Sequence, residues 1–243
     1  MQKYTHTYTV RGCDMDPEYR LRKDILISYM FDCSSRECQE VGMATFDLQQ
    51  ERRTWVLTDL RIDYLTDKMP YWRGEVKIET WSRPVKGLRW FRDFEAYHNG
   101  VLIARATTCW SIIDEDTRRP VYLELPSVKF VQLPELVFPD YKPAKLQPIE
   151  RTDFSSKFKV RAFDIDFNMH LTSMRYIEEA LEAVPLEQTT GKSLERIEIK
   201  YMRECYLHDE ITVSVEKQAE GFAHQLYSLD KESEVSRMVT VWN

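Results

Sequence analysis

The sequence predicts an α+β protein built twice over. Each half is a strand, a long helix and then about four strands whose antiparallel sheet wraps that helix. Three observations predict it. Candidate strands and one helical stretch recur in the same order in both halves. Letters recur with them: Ala104–Trp110 (A-R-A-T-T-C-W) matches Ser236–Trp242 (S-R-M-V-T-V-W) at an offset of 132, Gly74–Ile78 matches Asp209–Val213 at 135, and Ile62–Tyr64 matches Ile199–Tyr201 at 137. Three matches in order at a nearly constant offset mark a duplication. Between the halves the texture changes. Five of the ten prolines (126, 134, 139, 143 and 148) fall in one stretch without glycine, which reads as a stiff, extended connection.

Taken in order, Tyr4–Arg11 is rich in Thr, Tyr and Val and reads as a strand. Arg22–Val41 reads as a helix, with Leu26, Met30, Cys33 and Val41 on one face and Gly42 as its C′ residue. Strands are expected at Trp55–Tyr64, Glu75–Ser82, Leu88–Tyr97 and Val101–Ile113, with Asn99-Gly100 as a two-residue hairpin turn between the last two. The second half repeats this. A strand near Ser156–Phe163 leads to a helix at Thr172–Val184, capped by Thr172 or Ser173 and ended by Pro185. Further strands are expected at Leu194–Arg203, Glu210–Gln218, Ala223–Leu229 and Val235–Trp242. The domain boundaries follow: residues 1–125, a proline-rich linker at 126–150, and residues 151–243. One helix of about five turns per half, covering one face of a curved antiparallel sheet, is the arrangement of the hotdog fold.

Bulk properties exclude more than they assign. With 243 residues, 43% hydrophobic and 30% charged, the chain is long enough for one large or two small cores. A formal net charge of −6 argues against a general nucleic-acid binder. The five cysteines (13, 33, 38, 109 and 205) are odd in number and form no C-x-x-C pair, which suits free thiols in a reducing cytoplasm. No run approaches the roughly 18 apolar residues of a membrane span, and the N-terminus M-Q-K-Y-T-H-T-Y-T-V lacks an apolar secretion segment.

The chemistry concentrates in Arg161–Glu182. Asp164, Asp166, Asn168 and His170 alternate with Ile165, Phe167, Met169 and Leu171. Read as extended backbone, this places Asp166, Asn168 and His170 on one side, with roughly 7 Å between successive Cα atoms, and the apolar set toward a core. From Met174 the period changes to helical, through Ile177, Leu181 and Val184. An acid, an amide and an imidazole thus precede a helix N-terminus, where free N–H groups and the positive dipole end can polarise a carbonyl. The other histidines (6, 98, 208 and 224) have no motif around them and read as surface residues. A single histidine among scattered carboxylates is not a zinc set, so neither metal nor cofactor is expected.

The run D-I-D-F-N-M-H-L-T-S-M-R-Y-I (Asp164–Ile177) resembles the D-x-D-x-N-x-H-x-N-N-x-K-Y-I signature of acyl-acyl carrier protein thioesterases, and Tyr201–Cys205 (Y-M-R-E-C) resembles that family's Y-R-R-E-C segment. Thr172 and Ser173 stand where the plant enzymes carry Asn-Asn. In the first half, Pro70–Glu75 and Ala104–Pro120 also look like family segments, so the resemblance covers nearly the whole chain. It implies a tandem hotdog, a dimer within one chain that is compatible with homodimer formation. The second half would be catalytic and the first an acyl-chain receptacle, since Cys13–Tyr19 has acids but no Asn-x-His. Plant members carry a plastid transit peptide; this chain starts at its first predicted strand, as a bacterial member or a trimmed chain would.

The implied reaction is hydrolysis of fatty acyl-acyl carrier protein to free fatty acid and carrier protein. It needs an activated water or a protein nucleophile, a held oxyanion and a dry acyl chain. The candidates are Asp166, Asn168, His170 and Glu204. His170 can pass a proton. Glu204 can act as base or hold a water against His170. Asn168 can donate to the thioester carbonyl or orient that water, and Asp166 can fix the imidazole or attack directly. Cys205 is an alternative nucleophile. Lys157, Lys159, Arg161, Arg175, Lys200 and Arg203 are candidates for a phosphate or an acidic carrier protein. Two other readings stay open: an acyl-coenzyme A thioesterase, because both substrates share the phosphopantetheine arm, and a non-catalytic acyl-thioester binding protein. Five tryptophans in the first half (55, 72, 81, 90 and 110) read as core, with an acyl tunnel as the alternative.

Overall fold

A computed structural model describes residues 2–85, 87–122, 130–143 and 145–243. Residues 126–129 and 144 of the expected proline-rich linker lie outside the described residues. The chain divides into two compact units, the first Met1–Thr58 and Ile62–Tyr141, the second Lys142–Asn243 with Asp59–Arg61.

In the first unit, strand β1 (Tyr4–Thr9) leads through a short 3-10 turn (Gly12–Asp14) into helix α1 (Lys23–Glu40). A short helix α2 (Thr45–Gln49) and strands β2 (Arg53–Tyr64), β3 (Glu75–Ser82), β4 (Trp90–His98) and β5 (Val101–Asp114) follow. The strand order is β1-β3-β4-β5-β2, and β1–β3, β3–β4 and β4–β5 pair antiparallel. Asn99 (φ 50) and Gly100 (φ 76) turn the β4–β5 hairpin in the left-handed region, as their sequence requires. Helix α1 lays Leu26, Ile27, Met30 and Cys33 against β1 and β3, and it stops where Gly42 adopts φ 68. Of the five first-half tryptophans, 55, 81, 90 and 110 pack in apolar clusters, whereas Trp72 is exposed. Trp90 joins Met43, Leu48, Ile112 and Phe130 in one cluster, with Trp55 edge-on at 5.2 Å, and Trp81 packs on Val137 and Phe138.

The second unit repeats the plan. Strand β6 (Phe154–Lys159) and a 3-10 turn (Ala162–Asp164) lead to helix α3 (Ser173–Glu182) and a short α4 (Leu186–Thr189). Strands β7 (Leu194–Tyr201), β8 (Glu210–Gln218), β9 (Gly221–Ser228) and β10 (Ser233–Trp242) follow, in the order β7-β10-β9-β8-β6. This is the strand order of the first unit. The entry segment corresponds residue for residue: Tyr4 and Phe154, Gly12 and Ala162, and Lys23 and Ser173 each open the same element 150 positions apart. The strand letters that recur at 132, 135 and 137 fall on β5/β10, β3/β8 and β2/β7. The fold is the expected α+β tandem hotdog, with one difference: α3 has 10 residues against 18 in α1. Pro185 cannot continue a helix and biases Val184 away from helical backbone, so the chain breaks there and restarts as α4.

One histidine sits where the sequence reading did not expect it. His224 is only 1% exposed, on the face of β9 that carries Phe222 and Leu226 and contacts α3. Its Nε2 lies 3.1 Å from Thr240 Oγ1. Burial pushes its pKa down to about 3 from an ordinary 6.5. The folded form therefore stays neutral while the unfolded chain takes up a proton below about pH 6.5. Stability is full above that pH and is lost as pH falls toward the folded value. From His224 alone the unfolding free energy should fall by about 1.4 kcal/mol per pH unit between roughly pH 6 and 4. Urea titrations of the native chain and of His224→Gln across that range test it. Equal slopes would refute this origin of acid sensitivity.

Candidate active site

The polar run before α3 is a knot of turns, not a strand. Arg161 donates through Nε (3.0 Å) and Nη2 (3.1 Å) to the buried Asp164 carboxylate, which also accepts the Arg161 backbone N–H at 2.9 Å. Arg175, in the first turn of α3, adds an ion pair at 3.3 Å. The Arg161 hydrogen bond leads in holding the Asp164 carboxyl below the usual carboxylate range. Beyond this clamp the chain reverses. Met169 N–H donates to Asp166 O (3.0 Å), Asp166 N–H donates to His170 O (2.9 Å), and Ile165 bridges Leu171 antiparallel. Asp166 Oδ1 accepts the Asn168 N–H at 2.8 Å and the carboxylate also accepts the His170 N–H. Its pKa is nonetheless raised, chiefly because burial penalises the charge.

Two expectations need correcting. Asp166, Asn168 and His170 do not form one ladder on an extended strand; Asp166 is the carboxylate that ties the turn, in the manner of an Asx turn. The apolar partners do not all face a core either. Phe167 and Met169 are 71% and 72% exposed, Phe163 is fully exposed, and only Leu171 is buried. Met169 holds φ 64, and the reversal it makes turns the intervening side chains outward.

The same reversal aims His170 at the segment after β7. His170 Nε2 lies 3.3 Å from Glu204 Oε2, both side chains partly exposed. Glu204 and Cys205 lie in irregular chain past the end of β7 at Tyr201. They diverge. Cys205 is fully buried, its carbonyl accepts Leu171 N–H at 2.8 Å, and burial pushes its thiol up to about 11. Tyr206, which the sequence reading missed, completes the group: its hydroxyl donates to Glu204 Oε2 (3.2 Å) and its ring meets the His170 ring edge-on at 5.2 Å. Asn168 is half-buried on the same turn. Among the described residues no group of three or more His, Cys, Asp or Glu side chains is arranged to hold a metal ion.

The corresponding turn of the first unit has the same backbone. Arg11 clamps Asp14 through Nε (2.8 Å) and Nη2 (2.8 Å), Tyr19 holds φ 62, and Leu21 N–H donates to Pro70 O at 2.8 Å. Its chemistry differs. Arg20 stands where His170 stands, Met69 where Glu204 does, and Tyr71 where Tyr206 does. Of the six candidate cations around the motifs, Arg161 and Arg175 are engaged within the turn, whereas Lys157, Lys159 and Arg203 are exposed.

The chain matches the family model "Acyl-ACP thioesterase N-terminal domain" over residues 1–126 and "Acyl-ACP thioesterase C-terminal domain" over residues 148–243. It is 26% identical over 224 residues to the chloroplastic oleoyl-acyl carrier protein thioesterase 2 of Arabidopsis thaliana, covering 85% of this chain and 60% of that protein. It is 22% identical to a chloroplastic acyl-[acyl-carrier-protein] hydrolase of Cuphea viscosissima, covering 98% of this chain and 61% of the relative. The chain thus spans about 60% of the length of these curated relatives. Among solved structures, an acyl-ACP thioesterase from Bacteroides thetaiotaomicron superposes with a TM-score of 0.86 at 25% identity, covering 98% of this chain and 97% of that one.

Proposed function

The chain belongs to the acyl-ACP thioesterase family, and on that premise we propose that it hydrolyses the thioester of fatty acyl-acyl carrier protein, releasing free fatty acid and carrier protein. The observation that carries the proposal is the direct His170–Glu204 approach at 3.3 Å on a partly open turn. A water held by this pair gives up its proton to it, and the oxygen adds to the thioester carbon. The Asn168 amide and free N–H groups at the start of α3 can hold the oxyanion. The carbon–sulfur bond then breaks, and the pair returns the proton to the leaving thiolate. Asp166 contributes by fixing the turn that presents His170.

The second unit is the catalytic one in this reading, and the first receives the acyl chain. Arg20 and Met69 in the first unit support that division, since neither can exchange a proton with water near neutral pH. A reducing compartment such as the cytoplasm suits the five free thiols. Among the described residues no helix is long and apolar enough to cross a membrane.

The test is thiol release from acyl-acyl carrier protein and from acyl-coenzyme A, measured side by side with the same acyl chain. A higher kcat/KM on the carrier protein supports the reading. Preference for coenzyme A makes the enzyme an acyl-coenzyme A thioesterase, and release from neither leaves a binding protein.

The thiol chemistry separates two mechanisms. A thiol raised to about 11 and buried is a poor nucleophile at neutral pH. Cys205→Ala should therefore retain activity within about twofold, and alkylating agents should inactivate slowly. A folded, substrate-binding but inactive Cys205→Ala would replace the water mechanism with a Cys-His one.

A further inference from the structure

From the way Tyr206 is built into the turn we infer that it is a positioning residue for hydrolysis, holding the Glu204 carboxylate against the His170 imidazole. The inference rests on the hydrolase reading above and goes beyond the four residues named there. Its hydroxyl donates at 3.2 Å to Oε2 of Glu204, the same oxygen that lies 3.3 Å from His170 Nε2. A carboxylate on an irregular, partly exposed segment has several rotamers open to it, and this hydrogen bond favours one of them. The ring also abuts the imidazole edge-on at 5.2 Å, so one side chain restrains both members of the pair.

Tyr206 is itself fixed from two sides. Its backbone N–H donates to Asp209 Oδ2 at 2.9 Å, and Asp209 N–H returns a bond to Tyr206 O at 3.1 Å. Lys231, paired with Asp209, sits over the Tyr206 ring at 4.6 Å. The duplicated turn supplies a second instance. Tyr71, at the same place in the first unit, accepts a 2.6 Å hydrogen bond from Arg20 Nη2, and the guanidinium lies 4.2 Å over its ring. In both units the tyrosine organises the polar residue presented by the turn: histidine with glutamate in one, arginine in the other.

A double-mutant cycle tests the role, because a residue acting through Glu204 has no effect once Glu204 is gone. Tyr206→Phe keeps the ring and removes only the hydroxyl. It should lower kcat on acyl-acyl carrier protein about tenfold, the scale of a lost hydrogen bond to a charged group, with KM and binding of a non-hydrolysable acyl thioether unchanged. In a Glu204→Ala background the same change should alter kcat less than about twofold. Equal effects in both backgrounds, or a raised KM with unchanged kcat, overturn the proposal in favour of a packing role. The cycle can also be read without turnover, on the ring ¹⁵N resonances of His170. Tyr206→Phe should move them in the native chain and leave them in place in Glu204→Ala. Were the native chain to hydrolyse no thioester, the hydrolase reading would fail while this spectroscopic cycle still decided whether Tyr206 acts on the pair.

Discussion

His170→Ala should lower kcat for acyl-thioester hydrolysis by roughly 10²- to 10⁴-fold, the usual worth of a positioned acid–base group, while KM changes little. The split follows from what the pair does. In the proposed mechanism His170 and Glu204 act on a proton that moves only as the tetrahedral intermediate forms and collapses, so their interaction is realised in the transition state. Acyl-chain binding, which the proposal gives to the first unit, is left in place. Glu204→Gln should fall in the same range, because an amide of equal shape neither carries charge nor takes a proton. The double variant should be little worse than either single one, since the two groups lie 3.3 Å apart and work as one unit. Steady-state thiol release with purified variants, checked for folding by near-ultraviolet circular dichroism, measures this. A fully active Glu204→Ala would remove the carboxylate from the mechanism.

The sequence made the strands legible because their period and the duplication agree: Glu75–Ser82 and Glu210–Gln218 were expected at the residues they occupy. The site was legible in its residues but not in its backbone. Alternation from Asp164 to Leu171 has period two whether the chain is extended or folded on itself, so spacing could not separate a strand from an Asx turn. The separating signal lay in the other half. Asp16-Pro17-Glu18-Tyr19 occupies the same turn 150 residues earlier, and proline after aspartate there is a turn signal. Val10/Val160, Arg11/Arg161, Asp14/Asp164, Asp16/Asp166 and Leu21/Leu171 survive between the two copies, but the letters between them differ, so the correspondence is plainest once both backbones are seen. Tyr206 was missed for a different reason. Its partners lie on the same and on a neighbouring loop, and nothing local marks a tyrosine that must reach them. His224 could have been placed, since it shares a strand face with Phe222 and Leu226.

The second large effect is on stability. Arg92→Met should cost about 3–5 kcal/mol, because it strands a charge in the first unit. Glu37 on α1 and Arg92 on β4 are both almost fully buried and paired through Oε2 and Nη1. The other Glu37 oxygen accepts the Val131 N–H at 3.0 Å, and Arg92 also reaches Thr80 Oγ1 at 3.3 Å and lies over the Phe130 ring at 5.2 Å. The pair thus ties helix, sheet and the 130–138 segment at one point. Methionine fills most of the volume of arginine but leaves the Glu37 carboxyl in a low-dielectric site without its counter-ion. Removing both charges should hurt far less. In Glu37→Gln/Arg92→Met the amide oxygen can still accept from Val131 and no buried charge remains, so most of the loss should be recovered. Urea unfolding of the native chain, the single variant and the double variant decides it. A single variant as stable as the native chain would mean that Glu37 finds another partner. A double variant as unstable as the single would mean that the cost comes from lost arginine packing rather than from an unpaired charge.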